Sequence, residues 1–414
     1  MSRAGVPRTV KGLSLVSLFN DFASEMVYPL LPALVTRTLG GGPLMLGLLD
    51  GAAELTSSGV KWISGRLADR PGWGGPLILW GYAVAVLVRP LMAGAGSAWQ
   101  VVGLRVADRI GKGVRTPPRD ALIAQITSPS QRGRAFGFHR GADHLGAVLG
   151  SLAAWFLLTW GADVRSVIAW SVVPGVVAFG VLAVVLRGGR ADRRTGGQAD
   201  GGTGERTESR SLGADRPTGR PTVHPTARPP VHPSTRFWPP ILALTALTFF
   251  RLPEALLILR LQDRGVAVTA IPLVWAGLHV IRSASSYPGG WLADRLGPRR
   301  VVATGGLLFA LVAFALGAVL EPAPAIGLFL LLGLVAGLTE SGERTIVARL
   351  APVRTGRGFG SYHALVGAAA LPAGLLFGAV YQSVSGRAAL WASAVGMGLA
   401  VIIWLIVSPA DEES

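Results

Sequence analysis

The chain contains no cysteine, which excludes a disulfide scaffold, a thiolate metal site and a cysteine nucleophile. Methionine is scarce too, and five residues are too few for a thioether copper path. Charge is the third scarcity: ionisable Asp, Glu, Lys and Arg make up 15% of 414 residues, where a soluble domain carries roughly a quarter. No phosphate-binding loop is present, because Gly111-Lys112-Gly113 lacks both the upstream glycine spacing and a following Ser or Thr. Zinc-protease and serine-hydrolase motifs are missing as well, so neither enzyme activity nor a cofactor is expected. The polar stretch from Met1 to Lys11 lacks the apolar core of a signal peptide, so the first hydrophobic segment is expected to remain as a membrane helix.

Half of the residues are apolar, and they fall into runs long enough to cross a bilayer, which takes roughly 20 residues per helix. The runs lie near 11–36, 44–67, 76–95, 98–125, 135–159 and 165–187, then near 239–262, 267–291, 300–320, 324–348, 360–384 and 388–408. The expected class is an all-α integral membrane protein with 12 transmembrane helices in two six-helix bundles, 1–187 and 239–414. Between them, 188–238 is rich in Gly, Pro, Thr and Arg and poor in large aliphatic residues, so it is expected to be a disordered, solvated linker.

Lys and Arg outnumber Asp and Glu by 39 to 23, and their position decides what the excess means. They gather in alternate connections rather than in a nucleic-acid patch, so no nucleic-acid partner is expected. One end of the spans collects Arg3, Arg8, Lys11, Arg66, Arg70, Arg132, Arg134, Arg140, Arg295, Arg299, Arg300, Arg349, Arg354 and Arg357, besides nine linker arginines. The other end has Arg37, Arg165, Arg264 and Arg387. A cation beside a span resists translocation, so both termini and the linker are expected in the cytoplasm, with the chain multi-pass in the cell membrane. A monomer surrounded by the lipid bilayer is expected.

The two blocks repeat in sequence. Leu67-Ala68-Asp69-Arg70 recurs as Leu292-Ala293-Asp294-Arg295, 225 positions later. Gly133-Arg134-Ala135-Phe136-Gly137 recurs as Gly356-Arg357-Gly358-Phe359-Gly360, 223 positions later. Duplicated bundles enclose a cavity at their interface, and rocking one against the other exposes it to each side in turn.

These residues resemble the major facilitator superfamily (MFS) of secondary transporters, with its pseudo-symmetric fold. The stretch from Gly290-Trp291-Leu292-Ala293-Asp294-Arg295-Leu296-Gly297 to Pro298-Arg299-Arg300 is similar to the family's signature loop between the second and third helices of a half. The first copy, with Gly65, Arg66, Asp69 and Arg70, has Trp73 and Gly74 in place of the closing basic pair. The resemblance implies a gating loop in which Asp69 and Asp294 latch the outward-facing state against a helix N-terminus. Arg109-Ile110-Gly111-Lys112-Gly113 resembles the arginine motif of proton-coupled members, within a basic ladder of Arg105, Arg109, Lys112, Arg115 and Arg119. Gly141, Gly146 and Gly150 are similar to the glycine motif of drug antiporters, although the usual Gly-Pro pair is missing.

A charge near the bilayer centre costs at least about 2.5–3.5 kcal/mol, so intramembrane ionisable groups face a cavity or a partner. Asp21 and Glu25 on the first span, and Asp50 and Glu54 on the second, are each spaced i,i+4 and share a helix face. They are the candidates for proton coupling; the alternative is that they neutralise arginines in a fixed network. Substrate candidates are Arg109, Arg115, Asp143, His144, Arg251, Glu254, His279, Arg282 and Glu340. Arg251 and Arg282 either clamp an anion or pair with Glu254 or Glu340. No spacing on one helix marks a metal site. The expected function is alternating-access transport of a small solute, coupled to protons, with export of a drug-like molecule or metabolite first. Uptake of an organic anion or a divalent metal ion, and an uncoupled receptor or scramblase, are the alternatives.

Overall fold

The computed structural model describes residues 7–68, 70, 72–128, 132–199, 237–350 and 355–408, and these form twelve helical spans. In the first half, α1 (Arg8–Val27) is carried on by short helical segments to Thr38, and α2 (Pro43–Ala68), α3 (Gly74–Leu91), α4 (Ala98–Gln125) and α5 (Arg132–Thr159) follow. The short Val164–Trp170 leads into α6 (Val172–Ala199). In the second half, α7 is broken into Trp238–Phe249 and Glu254–Asp263, and α8 (Ile271–Leu296), α9 (Pro298–Ala318), α10 (Pro322–Leu350), α11 (Thr355–Ser383) and α12 (Gly386–Val407) complete the chain. No strand occurs among the described residues.

Local chemistry sets the helix ends. Ser97, Asp163 and Ser385 each accept a backbone N–H of the first turn that follows, which satisfies one of its orphan donors. Gly297 adopts φ 86°, and Pro298 then pre-sets the first turn of α9, so the chain reverses between α8 and α9 on one residue. The break in α7 falls at Arg251-Leu252-Pro253, where proline excludes a continuous helix and frees the N–H groups of a new N-terminus inside the membrane. The boundary expected at residue 187 is exceeded. No proline lies between residue 187 and Pro217, and with Arg190, Ala191, Arg193 and Arg194 as good helix formers α6 runs on to Ala199. The remainder of the expected linker, 200–236, lies outside the described residues.

Eight described spans are apolar enough to cross a membrane by composition alone. The other four, α1, α2, α4 and α8, carry Asp21, Glu25, Asp50, Glu54, His279, Arg282 and the basic ladder, which lowers their hydropathy. Such helices are tolerated in lipid because the other spans surround them.

Within the first half α1 packs on α5, α2 on α4, and α3 on α4 and α6; within the second, α7 packs on α11, α8 on α10 and α9 on α12. The halves meet along two seams, α2 against α11 and α5 against α8, which the duplication relates to one another. The first seam is closest in the early part of α2 and the late part of α11. This is the far end, opposite the end where α1 begins. A Cβ added to Gly47 would land on the Gly374 carbonyl, and one added to Gly51 would stand 2.8 Å from the Ala370 carbonyl oxygen. The Leu44 N–H donates to Gln382 Oε1 across the same seam at 3.2 Å.

The absence of cysteine makes this closure measurable. Leu44→Cys combined with Gln382→Cys should cross-link efficiently with a short bifunctional maleimide. Adding Gly47→Leu should lower the yield on the order of tenfold, equivalent to about 1.4 kcal/mol between two conformations; an unchanged yield contradicts the seam.

Candidate functional site

The centre of the first half is built around Asp108 on α4, which is fully buried. Its carboxylate receives Arg89 Nε from α3 at 2.9 Å and Arg109 Nη2 at 2.7 Å, with Arg105 Nη1 at 3.6 Å. Arg89 also donates to the backbone carbonyl and side-chain Oδ1 of Asn20 on α1, at 2.9 and 3.1 Å. Arg115 donates to Gly81 O at 3.0 Å and to Asn20 Oδ1 at 3.3 Å, and lies over the Tyr82 ring. One carboxylate and one amide thus fix several guanidinium groups between α1, α3 and α4, and the low-dielectric surroundings make each bond costly to remove. Arg115, a sequence candidate for the cavity, belongs to this structural cluster and is 3% exposed. Gly146 and Gly150 of α5 meet the Leu18 and Phe22 backbone of α1, so two of the three motif glycines serve this helix contact.

A second group of polar side chains crosses between the halves. Glu25 on α1 accepts the indole N–H of Trp275 on α8 at 2.9 Å, and His279 Nε2 stands 3.7 Å from the same carboxylate. Asp50 on α2 accepts the Tyr28 hydroxyl at 3.0 Å and the backbone N–H of Ala255 at 2.9 Å. Ala255 lies in the first turn after the break in α7, so Asp50 caps a helix N-terminus belonging to the other half. Tyr28 packs against Trp275 with ring centroids 5.3 Å apart, and Arg105 lies 4.7 Å over the Tyr28 ring.

The four acids singled out as coupling candidates take different hydrogen-bond partners. Asp21 accepts Asn20 Nδ2 and Glu54 accepts Ser58 Oγ, while Glu25 and Asp50 reach across to α8 and α7. Helical spacing aligned the acids but did not choose their partners.

In the second half, Arg251 pairs with Glu343 at 3.2 Å, and Tyr362 donates to the same carboxylate at 3.0 Å. Its acidic partner is therefore neither Glu254 nor Glu340. Arg282 does stand by those two, at 3.7 and 3.6 Å, and Arg140 on α5 reaches Glu340 from the opposite half at 3.5 Å. Glu254, Arg282, Glu340 and Arg140 lie within the spans yet are between about a third and a half exposed, and the Arg140–Glu340 pair joins the two halves. Asp143 stands 3.8 Å from His139, and His144 lies in the field of Arg140, His279, Arg282 and Glu340.

Of the gating-loop residues, Asp69 lies outside the described residues. Arg70 and Asp294 are exposed, and Asp294 makes no hydrogen bond or ion pair among the described residues. Arg295 lies over the Trp291 ring at 4.2 Å, and Arg299 is tied to α12 through the Leu405 carbonyl and a Trp404 indole bond to its own carbonyl. Gly297 provides the turn, a Cβ added to Gly65 would stand 3.8 Å from Pro117 of α4, and Gly290 is half-buried in α8.

The sequence profile of the Major Facilitator Superfamily matches residues 13–259 and 242–414. The chain belongs to the Major Facilitator Superfamily. An uncharacterized MFS-type transporter of Methanocaldococcus jannaschii is 26% identical over 378 residues, covering 89% of this chain and 87% of the relative. The multidrug resistance protein MdtH of Proteus mirabilis is 32% identical over 134 residues, 32% of this chain and 33% of that protein. Among solved structures, a POT family transporter in complex with 5-aminolevulinic acid superposes with a TM-score of 0.76 at 10% identity, over 100% of this chain and 98% of that one. The protein is thus a multi-pass MFS transporter, and the charged groups that meet where its halves face one another are the candidate site for solute.

Sequence reasoning missed Asp108, Asn20, Tyr28 and Trp275. Asp108 was detectable as the lone acid inside the ladder from Arg105 to Arg115. Asp108→Ala leaves Arg89 buried without its counter-charge, and should destabilise the protein by about 3–5 kcal/mol. Thermal unfolding in detergent checks this, and an unaltered transition contradicts the structural role of Asp108.

Proposed function

We propose that this MFS protein is a proton-coupled transporter that exports a small organic solute by alternating access, with both termini in the cytoplasm. The observation that carries the reading is that Glu25 and Asp50, both within the membrane, each accept a hydrogen bond from the opposite half at the far end. Closing this end and satisfying the two carboxylates are one event.

Separating the far-end seams removes the Trp275 and Ala255 donors and admits water from outside. A carboxylate that loses donors binds a proton more readily. Closing the seams restores the donors and expels water, so the proton leaves toward the chamber, which then opens to the cytoplasmic side. Each cycle moves protons from the far end to the near end. Solute meets Arg109, Glu254, Arg282 and Glu340 in the same chamber, where unlike charges present themselves from both halves. The Arg109 stretch that resembles the motif of proton-coupled members supports coupling, and the MdtH likeness over a third of the chain supports export. The cationic near end supports the orientation.

Purified protein in liposomes loaded with a pH-sensitive dye, screened against drugs and metabolites, should give a lumenal pH change for the transported compounds. Glu25→Gln and Asp50→Asn should each abolish that change while leaving solute binding measurable by thermal shift. Unaltered proton flux in both variants refutes coupling through these residues.

A further inference from the structure

The far end is poor in cations, and its connections hold only Arg37, Arg165, Arg264 and Arg387. Two of these four meet in one place. A cavity of about 570 Å³ is lined by Arg260, Asp263, Arg264, Ser385, Gly386 and Arg387, where the second piece of α7 ends and α12 begins. Arg260 is 3% exposed and donates to the Leu316 and Gly317 carbonyls at the end of α9, at 3.3 and 2.6 Å, so its guanidinium is fixed. The Nε–H of Arg264 is buried and finds no acceptor among the described residues. Asp263, the one carboxylate of the lining, already accepts the Tyr381 hydroxyl. The N-terminus of α12 adds partial positive charge at Ser385 and Gly386.

Three guanidinium groups against one engaged carboxylate leave an excess of two positive charges, 3 − 1, and one buried donor without an acceptor. An unsatisfied buried N–H costs free energy, and an oxyanion with several acceptor atoms answers both deficits at once. The surroundings identify its source. Val384 and Leu320, exposed by 70% and 64%, flank this end, and Trp391 stacks on Phe314 with Arg387 5.6 Å over its ring. Exposed apolar side chains and an interfacial tryptophan beside a cationic pocket match a phospholipid, whose headgroup and acyl chains need both kinds of surface.

We propose that this pocket binds the phosphodiester headgroup of an anionic phospholipid in the leaflet opposite the termini. Arg264 and Arg387 are its adjustable ligands and Arg260 its fixed floor. The bound lipid joins α7 and α12, and with Arg260 already held on the end of α9 it braces the short helix whose first turn Asp50 caps. Lipid occupancy therefore favours closure of the far end, a property separate from proton coupling.

The test uses the full-length protein in nanodiscs of phosphatidylcholine alone or mixed with phosphatidylglycerol, followed by thermal unfolding. Phosphatidylglycerol should raise the unfolding temperature of the native protein. Arg264→Gln with Arg387→Gln should lose that increment, whereas Arg300→Gln with Arg349→Gln, which removes the same charge at the near end, should keep it. If the first pair fails to fold, exposed Arg387→Gln alone should reduce the increment. An increment that survives loss of Arg264 and Arg387, or that the near-end pair loses equally, overturns the site. Inorganic phosphate added to phosphatidylcholine discs should have no effect; if it reproduces the increment, the ligand is a soluble anion and the lipid assignment fails.

Discussion

The cost of placing a charge in lipid governs this molecule. Its α4 carries Arg105, Arg109, Lys112, Arg115 and Arg119 across a membrane, and such a helix survives only where counter-charges and acceptors meet it. Asp108 and Asn20 meet this demand on the inner face of the first half, and Asp120 with Ser17 does so for Arg119. Glu25, Asp50 and Arg140 instead reach toward the other half. A buried, ion-paired cluster and an exchangeable set of cross-half bonds are therefore two solutions to the same constraint, one structural and one able to change with conformation.

This division explains the placement of glycine and proline. Gly47, Gly51 and Gly374 allow the backbones of α2 and α11 to touch at the far end, and that approach brings Asp50 within reach of the α7 break. Pro253 makes the break, and the break supplies the N–H that Asp50 accepts. Neither feature alone gives a gate. A continuous α7 would have no free donor at that depth, and a seam with larger residues would hold the carboxylate too far away.

Much of the fold was legible because hydrophobic runs, the recurrence of Leu-Ala-Asp-Arg and the loop cations are local signals. The four polar spans were legible as apolar runs between charged or Gly/Pro residues, although hydropathy with few charges recovers only eight of the described spans. Of the candidate site, Glu25 and Asp50 could be singled out as costly intramembrane acids, but Trp275 and Ala255 are 250 and 205 positions away and no periodicity links them. Arg251 and Glu343 illustrate the same gap: both were visible as charges, and their pairing depends on how α10 lies beside the α7 break. Asp108 was obscured differently, because the ladder around it reads as a basic surface until α3 and α1 are folded against it.

The central claim is that ionised Glu25 and Asp50 hold the far end shut. Spin labels on cysteines placed at Thr38 and Val384, read by pulsed electron paramagnetic resonance over a range of pH, report that closure directly. The account predicts a short distance at neutral pH that lengthens as the solution is acidified, and a pH-independent distribution when Glu25→Gln and Asp50→Asn are combined. A native distribution that ignores pH, or a double variant that still responds to it as the native protein does, contradicts it.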